Sequence, residues 1–157
     1  MASQSFTIRV LGPDDVALME GMSTMFGQAF GEPDTYGGAR PSAAYLHRLL
    51  GSDSFIALAA LQGGEVVGGL AAYELRKFEQ ERSEIYIYDL AVASAHRRAG
   101  IATSLIRELQ RLAAERDAYV VFVQADLGDE AAIALYTKLG TREDVLHFDL
   151  PVEKSAK

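Results

Sequence analysis

The chain has no cysteine among its 157 residues. That absence excludes a disulfide scaffold, a Cys-ligated zinc site, an iron–sulfur cluster and a thiol nucleophile. Basic residues are also in short supply: 15 Lys and Arg stand against 22 Asp and Glu, a formal net charge of −7. A nucleic-acid binder needs basic excess for its phosphate contacts, so that class is disfavoured. A cationic small molecule or peptide suits an acidic protein better. Long apolar runs are missing too. Phe55–Leu61 is far short of a membrane span, and Met1–Val10 has no basic stretch leading into an apolar one. A soluble, cytoplasmic protein is therefore expected. Histidine is sparse, and His47, His96 and His147 have no metal-ligand spacing, so no metal is expected. There is no repeat, low-complexity block or interdomain linker.

What is present is an ordinary globular mixture, 49% hydrophobic and 24% charged. One domain over 1–157 is expected, with 150–157 a frayed tail, and it is long enough to bury a core. Phe6, Ile8 and Val10 alternate with polar residues and predict a first strand ending at Gly12-Pro13. Asp14 is placed to cap a helix reaching about Phe30, whose apolar face carries Val16, Met19, Met22 or Ser23, Met25 and Phe26. Gly31–Pro41 reads as a loop, and Ser42 and Gly51 as the two ends of a short helix. Phe55–Leu61 and Glu65–Glu74 predict strands joined by a Gln62-Gly63-Gly64 hairpin turn. Further strands are expected at Ile85–Val92, at Tyr119–Ala125 (buried) and at Thr141–Leu150. Helices are expected at Gly100–Arg116 and Asp129–Leu139. The order is β-α-α-β-β-β-α-β-α-β, an α/β mixed sheet with helices on both faces.

The sharpest local feature is the strand, turn and helix over Tyr86–Arg116. The apolar strand leads through Ala93–His96 into Arg97-Arg98-Ala99-Gly100-Ile101-Ala102-Thr103. Small residues allow close backbone approach to a ligand, and a helix N-terminus offers unpaired N–H groups and a positive dipole to phosphate. Between His96 and Arg116 five Arg stand against two Glu. In a chain acidic overall, this concentration invites an anion; the alternative is a helix start with two solvated arginines. The turn lacks both the Gly-x-x-x-x-Gly-Lys-Ser/Thr phosphate loop and the Gly-x-Gly-x-x-Gly dinucleotide pattern.

Arg97-x-x-Gly100-x-Ala102, following Leu90-Ala91-Val92, resembles the acetyl-CoA signature of the GNAT acetyltransferase superfamily. Ala132-x-x-x-Tyr136-x-x-x-Gly140 resembles that superfamily's tyrosine-bearing helix. The runs Phe55–Ala60, Lys77–Gln80, Ser83–Val92, Gln124–Asp126, Ala134–Gly140 and His147–Asp149 are similar to the type I aminoglycoside 3-N-acetyltransferases, from about the first strand to Asp149. The resemblance implies a central mixed, mostly antiparallel sheet and acetyl-CoA as acetyl donor. It also implies a homodimer, and a cationic aminoglycoside acetylated on the 3-amino group of its 2-deoxystreptamine ring, conferring antibiotic resistance. Two positions depart from the broad pattern: Asp129 stands where Asn is frequent, and Gly140-Thr141 where Gly-Phe is.

By the same resemblance, Leu90, Ala91 and Val92 line the acetyl and pantetheine arm, with the Leu90 N–H a candidate oxyanion donor. Arg97, Arg98, Ala99, Gly100, Ile101, Ala102 and Thr103 wrap the pyrophosphate. Asp129 and Ala132 lie at the start of the tyrosine helix. Tyr136 is the candidate general acid for the CoA thiolate, a phenol of pKa about 10 being near enough to a thiol to share its proton; otherwise it is a packing aromatic. Asp89 interrupts an apolar, aromatic strand and is the candidate base or amine anchor. An acid there needs a partner or water, and a solvent-facing edge or an arginine ion pair are its alternatives. Asp126 and Asp144, with Glu84 and Tyr86, are candidate contacts for a polycation. Asp129 and Glu130 equally suit helix capping. Two other functions compete: acetylation of another small polyamine or peptide amine by the same fold, and non-catalytic acetyl-CoA binding.

Overall fold

The structure, a computed structural model, describes residues 5–154. The chain divides into two compact units, Met1–Gln124 and Ala125–Lys157.

The first unit is built on five strands in chain order: β1 (Thr7–Val10), β2 (Phe55–Gln62), β3 (Glu65–Arg76), β4 (Ser83–Val92) and β5 (Ala118–Val123). The first three pairings are antiparallel and β4–β5 is parallel. The predicted mixed, mostly antiparallel sheet is therefore present. The β2–β3 turn forms where two adjacent glycines permit it, with Gly63 at φ 59° and Gly64 at φ 83°, the left-handed pair such a tight hairpin requires.

Helices cover both faces. Neighbouring residues of a strand point to opposite faces. A Cβ on Gly68 would lie 2.7 Å from Ile101 of α4 (Ile101–Glu115), while one on Gly69 would meet Met22 of α1 (Val16–Phe30). On the α1 face, Met19, Met22, Met25 and Phe26 pack with Leu46 and Leu50 of α3 (Ala43–Leu50) over Phe55, Ala57 and Ala59. On the other face α4 buries Ile101, Leu105, Ile106, Leu109 and Ala113, an i, i+4 stripe. Leu112 is only partly covered. Gly68→Ala should lower the unfolding free energy by about 1–3 kcal/mol, the cost of overpacking a filled core. A urea midpoint unchanged from wild type would contradict the close approach of α4 to β3.

Four expectations are corrected. The loop expected over 31–41 contains a short helix, α2 (Pro33–Gly37). Pro33 suits the first helical turn, where its missing N–H costs nothing. Asp15, not Asp14, precedes α1, and its carboxylate accepts from Gly12 N and Arg9 rather than capping the helix. Ser42 caps α3 as expected, accepting from Tyr45 N at 3.1 Å. The strand expected to be buried at 119–125 is β5, an edge strand whose Tyr119 and Val120 are exposed.

The fourth correction lies in the second unit. It holds α5 (Glu130–Leu139), capped by Asp129, which accepts from Ala132 N at 3.2 Å. The strand expected at 141–150 does not form. An alternating sequence becomes a strand only when its backbone groups find a partner, and no described strand pairs with this stretch. Its Val145, Leu146, Phe148 and Leu150 are exposed. Of the expected frayed tail, 150–154 are exposed without regular structure, and 155–157 lie outside the described residues, as do 1–4 of the N-terminal stretch. No helix among the described residues is long and apolar enough to cross a membrane.

Candidate active site

Two features of β4 set up the site. Its pairing with β5 ends at Ile87↔Val123, whereas its pairing with β3 continues to Val92. Among the described residues no strand pairs with 88–92 on the β5 side, which leaves an open backbone edge there carrying Leu90, Ala91 and Val92. A β-bulge also falls here: Ala71 and Ala72 of β3 oppose Asp89 and Ile87, leaving Tyr88 as the extra residue. Bulges re-aim side chains. This one sends both Tyr88 and Asp89 to the α1 face, where Tyr88 packs edge-on against Tyr73 and Tyr86.

From Val92 the chain passes through a 3₁₀ turn (Ser94–His96) into the helix start at Ile101. Arg98 (φ 63°) and Gly100 (φ 81°) are both left-handed. That conformation is costly for an arginine and natural for a glycine. The result is a concave run of amides. From Arg98 to Thr103 none of the six N–H groups donates to a described acceptor, and they stand at the positive end of α4. The residues present fit a pyrophosphate. Arg97 is partly committed elsewhere, its Nε donating to the Val92 carbonyl at 3.3 Å. A cavity of about 620 Å³ borders the turn, lined by Leu18, Met25, Val66, Val67, His96 and Arg97 among others.

Asp89 is half-buried, and no ion pair reaches it among the described residues. Its Oδ1 accepts from the Tyr36 hydroxyl at 3.1 Å. Of the alternatives the sequence left open, neither the arginine partner nor the solvent-facing edge describes it. Burial raises its pKa above the usual carboxylate range, nearby Glu32 adds to that, and the Tyr36 hydrogen bond opposes it. Tyr36 is itself held neutral, pushed up chiefly by burial and by the Asp89 charge. Tyr73 and Tyr86 are raised, first by burial and then by neighbours including Tyr88 and Asp89. The α1 face near the bulge is thus a tyrosine-lined surface carrying the Asp89 carboxylate, with Glu32 nearby.

The other candidates are placed as follows. Tyr86 stacks on Phe122 at 4.7 Å and donates to Gln124 Oε1 at 2.9 Å. Glu84 is ion-paired with Lys77 at 3.6 Å and accepts from the Tyr119 hydroxyl, which leads the causes holding its pKa low. That carboxylate is already partnered. Asp126, Asp129, Ala132, Tyr136 and Asp144 belong to the second unit. There the Asp126 carbonyl accepts from Asp129 N at 3.0 Å, and Asp144 pairs with Arg142 at 2.7 Å. The Tyr136 hydroxyl is pushed up to about 12 by burial and then by the Asp129 charge.

Tyr36 falls in the stretch whose turn residues predict a loop, so the sequence does not single it out. One signal was available: Phe26, Phe30 and Tyr36 can cluster once 33–37 turns back on α1, and their centroids lie 5.7–5.9 Å apart.

The family model for acetyltransferases of the GNAT family matches residues 20–141. The chain belongs to the GNAT acetyltransferase family. Among curated relatives of this GNAT chain, N-acetyltransferase 8 of Mus musculus is 32% identical over 81 residues, 52% of this chain and 36% of that protein. N-acetyltransferase 8F1 of Mus musculus is 29% identical over 89 residues, 57% of this chain and 40% of that protein. The chain spans less than half the length of these relatives. A crystal structure of an aminoglycoside acetyltransferase from an uncultured soil metagenomic sample is 66% identical, with a TM-score of 0.93 over 95% of this chain and 99% of that one. A second aminoglycoside acetyltransferase from such a sample, solved in complex with sisomicin, is 29% identical with a TM-score of 0.88 over 94% and 97%.

Proposed function

We propose that this GNAT chain transfers an acetyl group from acetyl-CoA to an amine of an aminoglycoside, at the 3-amino group of the 2-deoxystreptamine ring, and so confers resistance. One observation carries the reading. The Asp89 carboxylate sits among Tyr36, Tyr73, Tyr86 and Tyr88, on the stretch of β4 that pairs with no strand on its β5 side among the described residues and leads to the unpaired amides of 98–103. Aminosugars present both features that such a surface recognises: ring faces for aromatic packing and ammonium groups for a carboxylate and for cation–π contact. Similarity to two aminoglycoside acetyltransferases supports the substrate class, and the sequence runs resembling the type I 3-N-acetyltransferases support the regiochemistry. That both units form one catalytic domain, and that two copies form a dimer, belong to the same reading.

The chemistry needs the amine uncharged, the thioester carbonyl polarised and the departing sulfur stabilised. Anionic Asp89 attracts the ammonium and is the acceptor for its proton, directly or through water. The Leu90 N–H, on the open edge, is the candidate donor to the carbonyl oxygen. The amides from Arg98 to Thr103, with the positive end of α4, hold the pyrophosphate. Tyr136 is neutral throughout the working pH range. With a pKa pushed to about 12 against about 8.5 for a cysteine thiol, complete proton transfer to sulfur is uphill. Its hydroxyl is better suited to donate a hydrogen bond to the charge developing there. Incubation with acetyl-CoA and gentamicin, sisomicin or fortimicin should release CoA thiol. Release with spermidine or peptide amines, and none with aminoglycosides, would favour another amine.

A further inference from the structure

We propose that Tyr36, on the short helix α2, is a positioning residue for Asp89: its hydroxyl pins Oδ1 and leaves Oδ2 free for the amine. The inference rests on the proposed role of Asp89 and extends it to a residue outside the motifs.

The geometry singles out Tyr36. Helix α2 buries none of its residues fully, so it adds little to the core. It is nevertheless seated closely on α1: a Cβ on Gly27 would lie 3.2 Å from the Pro33 Cα and 3.3 Å from the Tyr36 Cβ. The Tyr36 ring closes a triangle with two aromatics of α1, 5.9 Å from Phe26 and 5.7 Å from Phe30, which lie 5.7 Å from each other. A ring packed against that aromatic pair carries its hydroxyl at a defined reach, and that hydroxyl meets Asp89 at 3.1 Å. Locked supporting side chains are what preorganise a reactive group. Oδ2 has no protein hydrogen-bond partner among the described residues.

The groups facing Asp89 explain why one neutral donor matters. From α2 and its start come Tyr36 and Glu32, from β3 Tyr73, and from β4 itself Tyr86 and Tyr88. Among the described residues no lysine or arginine pairs with the carboxylate. Burial and Glu32 both favour its protonated form, and the Tyr36 hydrogen bond favours the ionised one. Losing the hydroxyl should therefore raise the pKa of Asp89, and the acid limb of the activity profile should move to higher pH.

Tyr36→Phe tests this, because it removes one oxygen and keeps the packed ring. The expected result has four parts: an acid limb of kcat/KM moved to higher pH, a plateau for the aminoglycoside lowered on the order of tenfold, an unchanged KM for acetyl-CoA and a nearly unchanged Tm. A ring that only packs would leave the limb in place. In parallel, the Asp89 carboxyl carbon is titrated by ¹³C NMR in substrate-free wild type and Tyr36→Phe, with Asp89→Asn assigning the signal. An upward move of that titration supports the positioning role even if wild type acetylates no aminoglycoside, in which case only the proposed function fails. Superimposable titrations and an unmoved acid limb overturn the proposal.

Discussion

Asp89→Asn should lower kcat/KM for an aminoglycoside by about 10²–10⁴-fold, the usual scale for removing a group that takes a proton in the transition state. The asparagine is nearly isosteric, and its amide oxygen can still accept from the Tyr36 hydroxyl. The bulge at Tyr88, the β3 pairing and the aromatic contacts should persist, so folding is not the expected cause. What disappears is the negative charge and the basic oxygen. KM for acetyl-CoA should hardly change, since the pyrophosphate is assigned to amides in the following turn. The pH profile supplies a second readout. In wild type, activity should fall as pH drops through the Asp89 pKa, which burial raises; that limb should be missing in the variant. Steady-state kinetics across pH checks both. Wild-type kcat/KM in Asp89→Asn would reduce Asp89 to a structural carboxylate.

Tyr136→Phe should lower kcat by about 10²–10³-fold, the effect of removing one preorganised donor from a site of developing charge, with KM for acetyl-CoA changed only slightly. The phenol is a weak acid here, pushed up to about 12 by burial and then by Asp129. It should therefore contribute no basic limb within the range where the protein is folded, and the loss in Tyr136→Phe should be flat with pH. Because a flat loss and a missing limb differ, the two variants separate the roles of the carboxylate and the phenol. Unchanged kcat in Tyr136→Phe would remove the hydroxyl from the chemistry.

Most of the scaffold was legible in the sequence because its signals are local. The Gly63-Gly64 turn, the Ser42 cap, the Ile101/Leu105/Leu109 stripe and the glycine at the head of α4 each specify their own geometry. The turn after β4 was legible for the same reason, since free amides at a helix start need no distant partner. What could not be read is what depends on contacts made across the chain. The length of the β4–β5 pairing decides that the strand edge opens at Tyr88. The bulge decides that Tyr88 and Asp89 share a face. Helix α2 lies where Gly27 lets Pro33 and Tyr36 approach α1, a contact that the turn residues of 31–41 do not specify locally. The strand expected at 141–150 shows the opposite failure: its alternation is real, but alternation without a pairing partner does not make a sheet.

The central claim, that Asp89 on its tyrosine-lined face and the amide-rich turn together serve acetylation of an aminoglycoside, is tested most directly by one measurement. Purified protein is incubated with acetyl-CoA and sisomicin, and the product is assigned by two-dimensional NMR. The account predicts a single new acetamide on the 3-nitrogen of the 2-deoxystreptamine ring, formed in step with released CoA thiol. An acetamide at another position would contradict the regiochemistry, and no acetylated product would contradict the claim itself.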